Sequence, residues 1–331
     1  MAAARALYDH PAEGIIRVRV PLPFPLRWVN AYVLPEPDGR RWTLIDPGLH
    51  TPESVSLWEQ VLEELGLRMG DLIQVVLTHH HPDHYGLAGW FQERSGAPVR
   101  LSPEGQAQAE RLWGEGTPLT EETLRFFEQH GLEAEMLPAL REHLDSFVSQ
   151  VSPQPVITGL RTDDTLVMGG RMWSLYATPG HALGHLIFHQ AEEELLLAGD
   201  HVLPRISPNV SYLPGTDPNP LASYLRSLKE VASLPARLVL PGHRDPFATL
   251  AERCKELEEH HRERLSRMEE RLDDPMSAYA LSEAIFGREL TVHTMRFAVS
   301  ETVAHLILLE AEGRVSRQER EGRFYYQRTR R

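Results

Sequence analysis

Along the first third of the chain, the apolar positions follow two different periods. Short runs rich in β-branched and aromatic residues at 15–22 (IIRVRVPL), 29–34 (VNAYVL) and 41–46 (RWTLID) lie between Pro/Gly turns and predict strands. After Thr51 the period lengthens: SVSLWEQVLEEL carries its apolar residues at helical spacing and predicts a capped helix to about residue 65. The run 72–79 (LIQVVLTH) has the continuous character of a buried strand, and HYGLAGWFQERSG predicts a helix ended by Gly96.

Residues 103–150 break this alternation. They read as two or three helices with no strand between them, an insertion over one sheet edge that could act as a lid. Strands resume at 171–178 (RMWSLYAT), 185–190 (HLIFHQ), 194–200 (ELLLAGD) and 237–242 (RLVLPG). A Pro-rich loop over 203–220 and the helical LASYLRSLKEVASL separate the last two. Two rounds of strands and helices predict an α/β fold with helices outside two stacked sheets. A charged helix from Thr249 to about residue 272 reads as a solvent-washed connector, with His260 and His261 on its surface. Further helices and a hairpin, GRVSRQEREGRFYYQR, then outline a winged helix, in which Phe324, Tyr325 and Tyr326 pack the wing. The expected division is 1–248 for the α/β domain and 249–331 for the connector and winged-helix-like domain.

Composition narrows the function classes. The 331 residues carry a formal net charge of −13, which opposes a surface given over to nucleic acid. The exception is 313–331, with seven arginines against two glutamates; lysine occurs only at 229 and 255. The N-terminal stretch lacks a basic start followed by an apolar core, no run is long enough to span a membrane, and Cys254 is the lone cysteine. These features predict a cytoplasmic protein without disulfides or membrane contact. Any metal site must then rest on histidine and carboxylate.

That chemistry is concentrated in THHHPDHYG, residues 78–86. His79 and His81 alternate onto one side of an extended segment, and Asp83 and His84 follow on the same rim. So many imidazoles beside a carboxylate suit a divalent cation better than a core. One loop cannot complete two metal shells. Further candidates stand where other apolar runs end: His181 in TPGHALGH, Asp200 in LLLAGD and His243 in LVLPGH.

With these motifs in order, the chain resembles the metallo-β-lactamase-fold hydrolase superfamily, which includes glyoxalase II and ribonuclease Z. HxHxDH matches His79, His81, Asp83 and His84. PGHTxGH matches from Pro179, with Ala182 in place of Thr. The bridging-aspartate motif matches Gly199-Asp200, the final PGH matches 241–243, and IDPG matches 45–48. The resemblance spans about 15–246 and implies an αββα sandwich with its site at one edge. It implies one metal on His79, His81 and His181, a second on Asp83, His84 and His243, and Asp200 between them. Two divalent ions, zinc above all with manganese or iron as alternatives, would share a hydroxide that attacks the substrate. Class B β-lactamases of the superfamily lack the bridging aspartate and are exported, so antibiotic hydrolysis is not expected. The C-terminal part resembles the lactamase-beta-like branch, whose animal members resemble endoribonucleases.

The expected function is hydrolysis of a small-molecule thioester or ester by a metal-bridged hydroxide. Ribonuclease or phosphodiesterase activity is the alternative, and a non-catalytic role for the C-terminal part, in DNA binding or as a homodimer contact, is a third. Asp83 and His201 are the candidate catalytic residues, His201 and His185 for proton transfer or ligand support. Asp46 is a candidate to hold a ligand histidine or simply to shape its turn. His80 fills the variable slot and is not expected to ligate. Tyr212 and Arg205 are candidate substrate contacts. His130 and His143 are expected on the surface, and His10, His50, His189, His293 and His305 in structural roles.

Overall fold

Alternate residues of the central strands face different cores, and this places two sheets inside a four-layer sandwich. The computed structural model describes residues 7–114 and 119–329; residues 115–118 of the helical insertion and Arg330 and Arg331 of the basic tail lie outside the described residues. The first sheet runs β1 (Tyr8–Ala12), β2 (Ile15–Pro21), β3 (Trp28–Pro35), β4 (Trp42–Ile45), β5 (Leu72–Val76), β6 (Val99–Leu101) and β7 (Ile157–Gly159), in that order. It is antiparallel as far as β4 and parallel from there on. The second contains β8 (Thr165–Met168), β9 (Arg171–Ala177), β10 (Leu186–Gln190), β11 (Leu195–Gly199) and β12 (Leu238–Pro241), with β12 at one edge and parallel to β11.

On β3, Tyr32 and Leu34 pack between the sheets, while Val29, Ala31 and Val33 face the outer helices. On β11, Leu195 and Leu197 point inward and Leu196 and Ala198 outward. This is the period-2 signature of strands buried on both faces. Helices α1 (Pro52–Leu65), α2 (Pro82–Tyr85), α3 (Ala88–Ser95) and α4 (Pro103–Trp113) follow strands of the first sheet. Thr51 caps α1 as expected, its hydroxyl accepting from the Ser54 amide. The single helix expected after β5 is broken into α2 and α3.

The insertion continues with α5 (Leu119–Gln129) and α6 (Leu137–Gln150). α7 (Pro220–Val231), α8 (Leu250–Glu269), α9 (Ala278–Phe286) and α10 (Val292–Ala311) precede a hairpin of β13 (Val315–Arg320) and β14 (Arg323–Arg328). One apolar core joins α5 and α6, the outer face of the second sheet, and α7 to β14. The charged α8 is therefore not solvent-washed: Leu250, Cys254, Leu257, His261, Leu265 and Met268 are buried. His261 is fully buried and His260 only half-exposed, against the surface roles expected of them. His130 is also buried, against Phe126, Phe324 and Tyr326. In each case the sequence period marked the helix, but a later segment of chain covers its polar-looking face.

Candidate metal centre

The histidine loop begins where β5 stops. Leu77 and Thr78 continue extended, the Leu186 amide donates to Thr78 O at 2.9 Å, and the chain enters α2 after Pro82. β12 ends in a tight pass at 241–243. The Gly242 amide donates to Gly199 O at 2.7 Å, and Asn30 Nδ2 donates to Pro241 O at 2.9 Å. Tyr32 reaches Pro241 O through its hydroxyl at 2.8 Å. These bonds tie the exits of both sheets together at one edge. A Cβ at Gly242 would lie 2.2 Å from Asp200 Oδ1, so only glycine fits this approach.

Four histidines are oriented through Nδ1. His79 donates to Thr78 Oγ1 at 2.9 Å, and that hydroxyl donates to Asp46 Oδ2 at 2.7 Å. His84 donates to Asp46 Oδ2 at 2.8 Å, His181 to Asn209 O at 2.8 Å, and His243 to Trp28 O at 2.9 Å. Each bond leaves the Nε2 lone pair for another partner. His79 Nε2 lies 3.0 Å from His81 Nδ1 and 3.3 Å from His181 Nε2, so three nitrogens meet in one spot. On the other side, His243 Nε2 lies 3.2 Å from Asp83 Oδ2 and 3.3 Å from Asp200 Oδ2, and His84 Nε2 lies 3.5 Å from Asp200 Oδ1. His84 Nε2, His243 Nε2 and Asp200 Oδ1 are buried without a hydrogen bond.

The donors thus form groups able to hold metal ions: His79/His81/His181, Asp83/His84/His243, and His79/His84/Asp200 between them. Electrostatics divides them. Burial, reinforced by neighbouring imidazoles, drives His79 and His81 well below the usual histidine range, and His181 is also lowered by burial. That trio is neutral and ready to donate. Burial opposes charge on His84 and His243 too, but Asp200 outweighs it, helped by Asp46 and Asp83 at His84 and by Asp83 at His243. His84 rises well above the usual range and His243 to about 10. Protons on these two rings balance the acids, and a divalent cation would take over that task.

Around the donors, His185 donates through Nδ1 to Thr178 Oγ1 at 2.8 Å and accepts the Asp200 amide at Nε2 at 3.2 Å, which places the Asp200 backbone. Asp46 accepts from the Thr78 amide at 2.8 Å as well, so its carboxylate is fully used in holding the loop. His80 belongs to none of the metal-capable groups. His201 belongs to none of the metal-capable groups: it is buried, its ring nitrogens make no hydrogen bond, and its ring lies 5.3 Å from Tyr224 and 6.2 Å from His185. Tyr212 packs on Phe126, with its backbone bonded to Ser300 O. Arg205 is exposed beside a separate cavity of about 360 Å³ that none of the metal-capable residues lines.

Sequence reading missed the part played by α10. Asn209 Nδ2 donates to Glu301 Oε2 at 2.9 Å, so the carbonyl that orients His181 is tied to the C-terminal helix. Glu301 also pairs with Arg264, and His305 donates to Glu301 O at 2.8 Å while standing 3.1 Å from His261 Nδ1. His261, Glu301 and His305 are close enough to hold an ion, but Arg264 and Asn209 already occupy the carboxylate, which makes this group a buried joint. A polar residue inside an apolar helical period was the one signal available in the sequence, and it does not name its partner.

Comparison with known proteins agrees with this geometry. The pattern of the Metallo-beta-lactamase superfamily matches residues 26–243, and that of the Metallo-beta-lactamase-like, C-terminal domain matches 265–329. The crystal structure of metallo-beta-lactamase family protein TTHA1429 from Thermus thermophilus is 38% identical, with a TM-score of 0.85 over 96% of this chain and 99% of that one. The probable metallo-hydrolase YqjP of Bacillus subtilis is 28% identical over 91% of this chain and 93% of its own. An atrochrysone carboxyl ACP thioesterase of Aspergillus fumigatus is 26% identical over 73% of this chain and 61% of its own.

Proposed function

The chain belongs to the metallo-beta-lactamase superfamily and is a hydrolase of it; on that premise we propose that it uses two divalent ions to hydrolyse a small-molecule thioester or ester. The observation that carries this reading is the set of four histidines bonded to oxygen through Nδ1, with their Nε2 atoms gathered about the buried Asp200 and, at His243, the half-buried Asp83. One ion would sit on His79, His81 and His181, the other on Asp83, His84 and His243, with Asp200 serving both. Zinc suits these donors, and manganese and iron suit them also. Bound there, the ions would lower the pKa of water and polarise the substrate oxygen.

The protein's part is orientation and exclusion of water. Asp46 and Thr78 fix the rings of His84 and His79, and Asn209 fixes His181. Asp83 is the most exposed acid of the set, with a side chain 18% accessible against 9% for Asp200, and it orients the attacking water at the open side. α6 and α10 pack on each other through Phe147, His143, His293 and Arg296, and Phe147 reaches the histidine loop through Trp113, whose Nε1 donates to His80 O.

Thioester substrates are favoured over nucleic acid because four arginines of the basic tail are already engaged by acids of the same chain. Arg314 pairs with Glu269 and Glu312, Arg317 with Glu310, Arg323 with Glu133, and Arg328 with Glu269 and Asp273. Cations committed to internal acids offer little to a phosphate backbone. The thioesterase among the relatives supports the same choice.

The test has two parts. Elemental analysis of protein purified without chelator is expected to give two metals per chain. Metal-loaded protein is then offered acyl-CoA and S-lactoylglutathione against single-stranded RNA and bis-p-nitrophenyl phosphate. Thioester turnover without RNA cleavage supports the reading; cleavage of RNA alone overturns it.

A further inference from the structure

One cation near the metal-capable donors has no anion of its own. Arg296, on α10, is half-buried; its Nε is buried without a hydrogen bond, and among the described residues no carboxylate lies within ion-pair distance of its guanidinium. It is held by rings instead: its guanidinium carbon lies 4.1 Å from the Phe297 ring centre and 5.1 Å from that of Phe147. Two other arginines with little side-chain exposure are paired instead, Arg264 to Glu301 and Arg17 to Asp9.

Contacts connect it to the histidine loop: the Phe147 ring it faces lies 6.1 Å from that of Trp113, and Trp113 Nε1 donates to His80 O at 3.4 Å. Asp83, in the same loop, is the carboxylate whose charge acts on Arg296 and on His293, about one turn earlier on α10. His293 Nδ1 lies 3.3 Å from His143 Nε2, and its ring stacks on Phe24 at 4.6 Å. Burial and the Arg296 charge push His143 and His293 each down to about 4, so both rings are neutral and Arg296 is the lone positive charge of this group. A single planar guanidinium with no second cation beside it matches a carboxylate better than a doubly charged phosphate.

We propose that Arg296 is a specificity residue that receives a carboxylate on the acyl part of the substrate, with Phe147 and Phe297 fixing the plane of its guanidinium. The proposal rests on the thioester reading above and names its substrate class, a carboxyacyl thioester. The competing role for Arg296 is packing alone, which methionine would largely preserve.

The experiment compares wild type, R296M and R296K as metal-loaded enzymes, on succinyl and butanoyl thioesters of one thiol. Loss of a charge-assisted hydrogen-bonded contact is expected to raise KM for the succinyl substrate about 10- to 100-fold in R296M, with R296K intermediate. Turnover of the butanoyl substrate stays within about 2-fold, a change too small for a lost contact. Equal losses on both substrates, or no loss on either, overturn the proposal. Calorimetric titration of succinate and of inorganic phosphate into the same proteins covers the case in which neither thioester is turned over. Tighter succinate binding by wild type than by R296M then still supports Arg296 as a carboxylate site while the thioester reading fails. Equal succinate binding, or a dependence on Arg296 seen with phosphate only, overturns the carboxylate assignment.

Discussion

His84 donates through Nδ1 to Asp46 Oδ2 at 2.8 Å, joining the turn after β4 to the histidine loop after β5. Asp46 sits in the left-handed region, at φ 50°, and the same carboxylate accepts both the amide and the hydroxyl of Thr78. Removing it frees the rings of His84 and His79 together. D46A is therefore expected to weaken metal affinity about 10- to 100-fold, as loss of a ligand-orienting partner does. D46N keeps the shape but one of its two positions becomes a donor, so it should fall between wild type and alanine. Competition with a chromophoric chelator measures both; unchanged affinity in D46A would remove Asp46 from the site's support.

Gly242 sets a second expectation. A methyl group there would lie 2.2 Å from Asp200 Oδ1 and 2.7 Å from His84 Cε1. G242A must push aside an acid and an imidazole from the same group, so the protein is expected to fold but to bind less metal per chain, read by elemental analysis. G70A is the control, since nothing lies within 4 Å of a Cβ at Gly70.

The cluster of metal-capable donors was legible in the sequence because each donor follows an apolar run, and a strand end is where a side chain can leave the core. His79, His81, Asp83, His84, His181, Asp200 and His243 meet at one edge, as the motif order implied. What the sequence did not disclose depends on contacts made across long separations. Asn209 and Glu301 are neighbours only because α10 returns over the 203–220 loop. His261 looks like a surface histidine in a charged helix until α10 covers it. β6 and β7 are three residues each, too short for a period to mark them.

The C-terminal segment is expected to be inseparable from the rest. Residues beyond 275 contribute Leu281, Met295, Val299, Val303, Leu306, Leu309 and Tyr326 to the core shared with the second sheet. At roughly 1.5–3 kcal/mol for each buried side chain, their loss is comparable to the whole stability of a typical domain, about 5–15 kcal/mol. It also removes Glu301 and Ser300, which hold the loop that orients His181. A chain ending at 274 should lose its cooperative thermal transition along with activity. A truncated protein that melts cooperatively and stays active would show that this core is dispensable.

His130 links the insertion to the hairpin and should make that joint sensitive to acid. Its Nδ1 lies 3.3 Å from the Tyr326 hydroxyl, and its carbonyl accepts the Tyr279 amide at 2.9 Å. Burial, aided by Arg317, pushes its pKa down to about 3 from an ordinary 6.5. Between those values the unfolded chain carries a proton that the folded chain does not, so unfolding takes up a proton as the pH falls. The contribution is complete above 6.5 and is lost progressively below it, at a slope approaching about 1.4 kcal/mol per pH unit. H130F fills the same aromatic cluster without a titrating group. Urea unfolding of both proteins at about pH 7.5 and about pH 5, on either side of the ordinary histidine value, is expected to show a shallower loss for H130F, by up to one proton's worth of slope. Parallel losses in the two proteins would mean that His130 takes up its proton in the folded state as readily as in the unfolded chain.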